Sequence, residues 1–285
     1  MASTRDLRRR IRSVKNTEQL TRAMKMVAAA RLRRSQERIL SARPYAHKMR
    51  DLLKRLAART EILHHPLLED QGDEQIELLV VTSDRGLCGS FNASIIRQTE
   101  EYLKERGDRQ VRLHLVGRKA GDYFKRRRHP IHKIYVDIFR NFRFERAREI
   151  GGDMIERFIR AELDGVYMIY NQFKSALQQN VVVEKLLPLR RIDPSEGAAG
   201  PDYLYEPDPR ALLDALLPLS VNVQLWAALL ESNAAENGAR MAAMDAASKN
   251  ARELIDTLTL KMNRIRQAGI TTEIIEVVSG ANALG

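Results

Sequence analysis

Apolar and small residues recur every three or four positions at both ends of the chain. Near the C-terminus this repeat is carried by Met241, Met244, Ser248, Ala251, Ile255, Leu258, Met262, Ile265 and Gly269. Near the N-terminus it is carried by Leu7, Ile11, Val14, Ala28, Leu32, Ile39, Ala42, Ala46, Met49, Leu53 and Leu56. An average spacing of about 3.5 residues is typical of helices that wind around each other. The pattern predicts a long helix at each end, packed antiparallel as a rod with a mechanical role.

The ends of both helices carry recognisable signals. The first is predicted over residues 4–58, with Ser3 and Asp6 as a capping box. The second is predicted to start at Asp208 and Pro209, to run to about residue 281 and to project beyond its partner. Pro44 lies inside the first helix and Pro218 inside the second; at both positions we expect a kink or a break.

The middle of the chain alternates between strand-like and helix-like patterns. Strands are predicted over 76–82, 111–116, 131–137, 166–170 and 181–189, and helices over 90–105, 119–127 and 145–161. This order predicts a Rossmann-like α/β domain of about five mainly parallel strands. The chain is therefore divided into a first shaft helix (1–60), an α/β domain (70–192), a Pro/Gly-rich connector (193–207) and a second shaft helix (208–285).

Composition narrows the class of protein. With 285 residues, 44% of them hydrophobic, the chain can bury a sizeable core. No window is expected to reach the roughly 18 apolar residues of a membrane span, and the first residues lack the apolar core of a signal peptide. A single cysteine, Cys88, excludes an internal disulfide and fits a reducing compartment.

The net charge of +11 is concentrated on the first helix. Residues 1–60 hold 18 Lys and Arg against 4 Asp and Glu, a net of +14, so the rest of the chain is slightly acidic. Three interpretations stay open at this point. The helix has a solvated basic face, it binds nucleic acid, or it is surrounded by an acidic protein partner.

The segment from Ser83 to Asn92 follows the first predicted strand and opens a helix, which is where phosphate-binding loops lie. Gly86 and Gly89 do not fit G-x-G-x-x-G, and no Gly-Lys-Ser/Thr follows. A tight turn that needs glycine is favoured over a nucleotide site. Cys88 lacks an accompanying His/Asn signature and is not expected to be a catalytic thiol.

The remaining candidates for chemistry are weak. The histidine pairs His64–His65 and His129/His132 lack metal-ligand spacing with Cys, Asp or Glu, so zinc is not expected. The basic run 125–128 is interpreted as a solvated helix end rather than an RNA site. The methionines interpreted as core-filling residues are Met24, Met26, Met241, Met244 and Met262. No catalytic site, cofactor or metal is expected from these residues.

Three blocks of sequence resemble the γ subunits of F-type (rotary) ATP synthases. The blocks are 10–29 (RIRSVKNT to AMKMVAA), 83–92 (SDRGLCGSFN) and the C-terminal segments Glu231–Ser232, 239–244 (ARMAAM) and 270–281 (ITTEIIEVVSGA). Because the order of elements agrees from end to end, the resemblance covers essentially the whole chain.

The resemblance implies a central-stalk rotor subunit, one copy per complex, with the catalytic residues on another subunit. It implies an α3β3 head, an ε subunit and a membrane c-ring as partners. The implied function of the subunit is to couple proton-driven rotation of the c-ring to ATP synthesis or hydrolysis. The absence of an inserted cysteine pair before residue 202 and of a transit peptide favours a bacterial protein at the cytoplasmic face of the cell membrane. The alternatives are a basic coiled-coil protein that binds nucleic acid and, third, an enzyme that uses the α/β domain.

The resemblance also implies roles for single residues. The positions that match contacts with the head are Met24, Lys25, Arg240, Thr271, Thr272 and Glu273, with Arg240 matching an arginine that engages a β-subunit loop. The positions that match the foot on the c-ring are Tyr203, Tyr205 and Glu206.

Overall fold

The computed structural model describes residues 3–59, 65–107, 109–176, 178–190, 206 and 208–284. Its helices are α1 (Thr4–Arg59), α2 (Phe91–Arg106), α3 (Arg118–Lys125), α4 (Phe144–Ile159) and α5 (Pro209–Leu284), with a 3₁₀ helix at Pro66–Leu68. Its strands are β1 (Gln75–Val81), β2 (Gln110–Val116), β3 (Ile131–Tyr135), β4 (Gly165–Phe173) and β5 (Gln179–Leu187). Every predicted helix and strand is present in the predicted order, and only the ends differ by a few residues.

By packing, the chain forms two compact units. The first joins Met1–Ala28 to Met241–Gly285, and the second comprises Ala29–Arg240. The division predicted from the sequence follows secondary structure instead of packing, and it stays a prediction. Apart from Glu206, the predicted connector 193–207 lies outside the described residues.

In the first unit the two helix segments run antiparallel. Lys25 on α1 pairs with Asp245 on α5 at 2.5 Å, whereas Glu18, earlier on α1, pairs with Arg252, later on α5, at 2.9 Å. The apolar contact between them is formed by Leu7, Ile11, Ile255 and Leu258, with Val14, Met262 and Ile265 at its margin. All seven positions belong to the predicted repeats, so the antiparallel seam is confirmed here.

Two expectations about the first unit were wrong. Gly269 was placed in the seam but is exposed, because α1 begins at Thr4 and offers nothing for α5 to pack against after Ile265. The same geometry confirms that α5 extends beyond its partner. Met26 was interpreted as core but is 62% exposed, since it lies two positions after Met24 and therefore on the other side of the helix.

The second unit is built on a five-stranded sheet with the order β3-β2-β1-β4-β5. The pairs among β1, β2, β3 and β4 are parallel, and β5 pairs antiparallel with β4. β1 lies at the centre and is buried at every position after Gln75, as a strand covered on both faces must be. The predicted mainly parallel α/β domain is confirmed.

The two faces of the sheet have different partners. One face packs Leu78 and Leu113 against Ile95 of α2 and Phe124 of α3 in one apolar cluster. On the other face Arg157 of α4 reaches the side chain of Glu77 on β1. Consecutive strand residues point to opposite faces, so Glu77 and Leu78 are separated by the sheet.

The predicted helix starts are present in atomic detail. At the first, the Ser3 hydroxyl accepts a hydrogen bond from the Asp6 amide at 3.2 Å, and the Ser3 amide donates to the Asp6 carboxylate at 3.2 Å. At the second, one carboxylate oxygen of Asp208 accepts from the amides of Arg210 and Ala211 at 2.9 Å. These contacts satisfy backbone donors that the first turn of a helix leaves free.

Neither internal proline ends its helix. Pro44 lies within α1 and Pro218 within α5. Tertiary packing compensates for the lost hydrogen bonds, since Met49 and Leu53 after Pro44, and Leu217 and Val221 around Pro218, are buried. Neither helix is broken at its proline, and the expected kinks stay a prediction.

One expectation from composition was wrong. α5 contains an 18-residue window with a mean hydropathy of 1.5, which meets the length and composition of a membrane span. Half of this window is buried inside the protein, as in the core helix of a soluble protein. Packing against other parts of the chain accounts for the buried half of the window.

The seam leads to a matched test on one helix. Leu258 is 7% exposed and Leu260, two positions later, is 72% exposed. Leu258→Ala is expected to reduce local stability by about 2–4 kcal/mol because it leaves a cavity in the seam. Leu260→Ala should change it by less than about 0.5 kcal/mol. Hydrogen exchange of the α5 amides around residue 255 measures both, and equal effects would contradict the seam.

Candidate functional site

The loop after β1 occupies the position where this type of sheet usually binds ligands. β2 and β3 lie on one side of β1 and β4 on the other, so the strand order reverses at β1. In open α/β sheets a ligand binds at the carboxyl ends of the strands beside such a reversal. The segment from Ser83 to Asn92, singled out from the sequence, lies at this point.

This loop is held by its own side chains. The Asn92 side-chain oxygen accepts from both the amide and the hydroxyl of Ser83 at 3.0 Å. The Asp84 carboxylate accepts from the amides of Arg118 and Asp137 at 3.1 Å each, which ties the loop to those that follow β2 and β3. The polar groups of the loop are therefore used to fix its shape.

The sequence predicted a tight turn that needs glycine, and this holds for Gly89 but not for Gly86. Gly89 has φ +58°, in the left-handed region that glycine adopts most easily. Leu87 has φ +63°, so the turn also places a non-glycine residue in that region. Gly86 has no positive φ, and a methyl group at that position would meet nothing closer than 4.0 Å. Gly86 contributes its carbonyl oxygen, which accepts a hydrogen bond from a side chain of α5.

Helix α5 covers the loop. The guanidinium of Arg240 donates to the carbonyl oxygens of Arg85 and Gly86 at 3.5 and 3.4 Å. Glu236, one turn earlier, pairs with Arg240 at 2.7 Å. The side chains of both are nearly buried, at 12% and 11% exposure. A phosphate bound at this loop would need free backbone amide donors. The loop instead presents carbonyl groups there, and they are occupied by the guanidinium of Arg240.

Apolar packing reinforces this contact. Ala235 and Ala239 of α5 belong to the same buried cluster as Cys88 and Phe91 at the start of α2. Gly238 lies so close to the turn after β4 that a methyl group would be 3.3 Å from Cα of Ala176. We call Glu236, Arg240 and the carbonyl groups of Arg85 and Gly86 the α5 clamp.

Burial shifts the pKa values of two groups at the clamp. It raises the pKa of Glu236, although the nearby guanidinium of Arg240 opposes the shift. It also raises the pKa of the Cys88 thiol, which is 1% exposed. A thiol that stays protonated and inaccessible is a poor nucleophile, which agrees with the sequence-based prediction.

The residues expected to meet the head lie in different environments. Met24 and Lys25 are half-buried on α1, and Lys25 binds Asp245, whose pKa is lowered by hydrogen bonds from Lys25 and Lys249. Thr271, Thr272 and Glu273 are all exposed on α5. Arg240 is almost buried in the clamp.

Of the three residues expected in the foot, the structure describes one. Glu206 is exposed. Tyr203 and Tyr205 lie outside the described residues.

An exposed apolar surface follows the end of the seam. Past Ile265, the large apolar side chains that are about half exposed or more are Ile270, Ile274, Ile275, Val277 and Val278. Single exposed apolar residues are ordinary, but a run of them on one helix marks an interaction surface. The sequence contained this signal, since the helical repeat of small and apolar residues ends before the apolar residues do.

A cluster of polar side chains on the other face of the sheet was missed. Glu77 and His114 are fully buried, and the Glu77 carboxylate contacts the guanidinium of Arg157 and lies 2.8 Å from the His114 ring. The ring of His132 stacks on that of His114 with centroids 4.7 Å apart. These residues are distant in sequence, so a search for short ligand spacing could not find them. We call Glu77, His114, His132 and Asp153 the histidine cluster.

The histidine cluster favours neutral imidazoles. Burial lowers the pKa of His114 to about 4. The pKa of His132 is also lowered, first by burial and then by the neighbouring His114. Imidazoles that are neutral at physiological pH retain a nitrogen lone pair for a metal ion.

Comparison with known proteins identifies the family. A family model described as ATP synthase matches residues 3–284. The ATP synthase gamma chain of Anaeromyxobacter sp. (strain Fw109-5) is 49% identical over 289 residues, which cover 100% of both chains.

Solved structures share the fold. A chain from the central stalk and c-ring of Tetrahymena thermophila mitochondrial ATP synthase is 27% identical, with a TM-score of 0.62 over 80% of this chain and 99% of that one. A chain from Euglena gracilis mitochondrial ATP synthase has a TM-score of 0.69 at 18% identity, covering 99% of this chain and 94% of that one. The family model and the full-length relative together place this chain in the gamma-chain family of ATP synthases.

Proposed function

We propose that the chain is the central-stalk rotor subunit of a proton-translocating F-type ATP synthase. It couples rotation of the membrane c-ring to ATP synthesis and hydrolysis at the catalytic β subunits of an α3β3 head, with one copy in each complex. The observation that carries this proposal is the antiparallel helix pair of the first unit, whose longer member continues alone and exposed past Ile265. A lone helix with exposed apolar side chains needs a surrounding partner.

The exposed part of α5 suits the upper part of the head. Thr271, Thr272 and Glu273 lie on the same segment as Ile270 and Ile274, and all five are exposed. A mixed apolar and polar helix surface can turn inside a sleeve that offers an apolar lining. We therefore propose this segment as the contact with the sleeve formed by the α and β subunits.

Met24 and Lys25 are proposed to face the β subunit lower on the shaft. The Lys25 side chain is 44% exposed while it pairs with Asp245, so a partner could reach it without unfolding the helix. Tyr203, Tyr205 and Glu206 are proposed to contact the c-ring loops, beside the ε subunit. In this proposal the shaft consists of residues 1–60 and 208–285, the α/β domain of residues 70–192 and the foot of residues 193–207.

Arg240 is proposed to meet a β-subunit loop at the surface of the α5 clamp. Since 11% of its side chain is exposed, such a loop would approach it beside Arg85 and Leu87, which are exposed. The contact would load α5 at the point where it is fastened to the α/β domain. Arg240 would thus transmit force without taking part in bond chemistry.

We propose that the chain has no catalytic site and needs no cofactor of its own. The ligand-binding position of the sheet is covered by α5, and the loop offers carbonyl groups to a guanidinium there. This counts against an enzyme that uses the α/β domain. The nucleic-acid alternative has no support among the relatives described above, and an acidic protein partner accounts for the basic α1.

The proposed location is the cytoplasmic face of a bacterial cell membrane, as a peripheral subunit of the complex. The bacterial gamma chain that matches from end to end supports this placement. The single buried Cys88 is consistent with a reducing compartment. Fractionation of cells with and without the membrane sector would test it.

The role of Arg240 can be separated from its structural cost. Arg240→Ala alone leaves Glu236 buried without a partner, which is expensive, so Arg240→Gln combined with Glu236→Gln is the better variant. In the assembled complex it should lower proton pumping per ATP hydrolysed while nucleotide still binds the head. Arg97→Gln, an exposed pair with Glu101 on α2, is the matched control. Loss of nucleotide binding to the β subunits would argue against a purely mechanical role.

Cys88 is expected to have no regulatory function. Because the thiol is buried and its pKa is raised, reductant and oxidant should leave the ATPase activity of the complex unchanged, provided that other subunits lack responsive cysteines. The measurement is ATP hydrolysis before and after dithiol treatment, repeated with Cys88→Ser. A response in the parent chain that disappears in Cys88→Ser would show that this thiol is regulatory.

A further inference from the structure

We propose that the histidine cluster binds a divalent transition-metal ion of the Zn²⁺ type, with Glu77, His114 and His132 as ligands. One candidate ligand atom from each of the three residues lies within 4.8 Å of the others. Two imidazoles and a carboxylate are a ligand set that zinc uses in proteins. The three residues belong to β1, β2 and β3, so the ion would join adjacent strands.

The buried polar atoms of the cluster lack partners, which points to a ligand. Both ring nitrogens of His114 and one carboxylate oxygen of Glu77 are buried without a hydrogen bond. The 2.8 Å approach between His114 Nε2 and Glu77 Oε2 does not have the geometry of a hydrogen bond. Buried polar groups without a partner are destabilising, and a metal ion would satisfy one ring nitrogen of His114 and the Glu77 oxygen together.

The distances require only side-chain adjustment. Ligand bonds of about 2.0–2.1 Å in a tetrahedral site place ligand atoms roughly 3.3 Å from one another. Starting from a spread of at most 4.8 Å, rotation of His132 at the partly exposed edge of the cluster brings them together. The fourth position would be left to a water molecule.

Asp153 supplies the outer contact that metal-bound histidines usually have. Its carboxylate lies 3.3 Å from Nε2 of His132. Asp153 Oδ2 is buried without a hydrogen bond, so a small turn of the His132 ring that directs Nε2–H at it would leave Nδ1 to face the interior of the cluster. A carboxylate that orients a histidine in this way strengthens its binding to a metal.

The guanidinium of Arg157 contacts two of these ligands. Its Nη1 contacts Glu77 Oε1 and lies 3.3 Å from Nδ1 of His132. Its Nε also donates to Glu162 at 3.1 Å. For the ion to take Glu77 Oε2 and His132 Nδ1, Arg157 would have to turn away from Nδ1, while its pairs with Glu162 and with the other oxygen of Glu77 could stay.

The test is Zn²⁺ titration of the full chain, freed of metal with a chelator, by calorimetry and by metal analysis after gel filtration. We expect one ion per chain. His132→Gln should weaken binding at least tenfold, and this variant is expected to fold because the side chain is about one-third exposed. His129→Gln, which removes a histidine outside the cluster, should bind as the parent does. Zn²⁺ should raise the melting temperature of the parent and of His129→Gln but not of His132→Gln.

A second measurement needs no variant. Co²⁺ bound to the parent chain should give the intense visible absorption of a four-coordinate site, and Zn²⁺ should displace it. Failure to retain one equivalent of Zn²⁺ at micromolar concentration would overturn the proposal. Retention that is unchanged in His132→Gln would also overturn it, since the ion would then lie on other side chains.

Discussion

The buried pair of Glu236 and Arg240 is the interaction on which the second unit depends. It lies where α5 crosses the carboxyl end of β1, and its guanidinium is bound to two carbonyl groups of the loop. Burying either charge alone would be costly, so each side chain is stable there only because of the other and of the loop. The clamp thereby uses the usual ligand position of an α/β sheet to hold a helix, which suits a subunit that transmits force.

Apolar packing, rather than ion pairing, holds the helix segments of the first unit together. The pairs Lys25–Asp245 and Glu18–Arg252 are partly exposed, and pairs of this kind contribute less than about 1 kcal/mol each. Each buried leucine or isoleucine in the seam contributes about 1.5–3 kcal/mol. The ion pairs are better suited to fixing the register, because each joins one position of α1 to one position of α5.

Local patterns predicted most of the fold. The seam, the caps at Ser3 and Asp208 and the order of strands and helices all depend on residues close together in the sequence. Gly269 was misplaced because a repeat does not show where the partner helix ends. The clamp was missed because it joins residues more than a hundred positions apart in the sequence. The histidine cluster was missed because its residues are separated by tens of positions. Only the order of the strands brings Glu77, His114 and His132 together.

The central claim is that, within the second unit, the part of α5 up to Arg240 and the α/β domain turn as one rigid body. The most direct test is a disulfide between Gly238→Cys and Ala176→Cys, which lie in contact across the two elements. It would be formed in the assembled complex, with both single-cysteine variants as controls and with Cys88 replaced by serine. If these elements turn together, the closed disulfide leaves ATP synthesis and ATP-driven rotation unchanged. Loss of rotation that is restored by reduction would show instead that α5 must move against the domain.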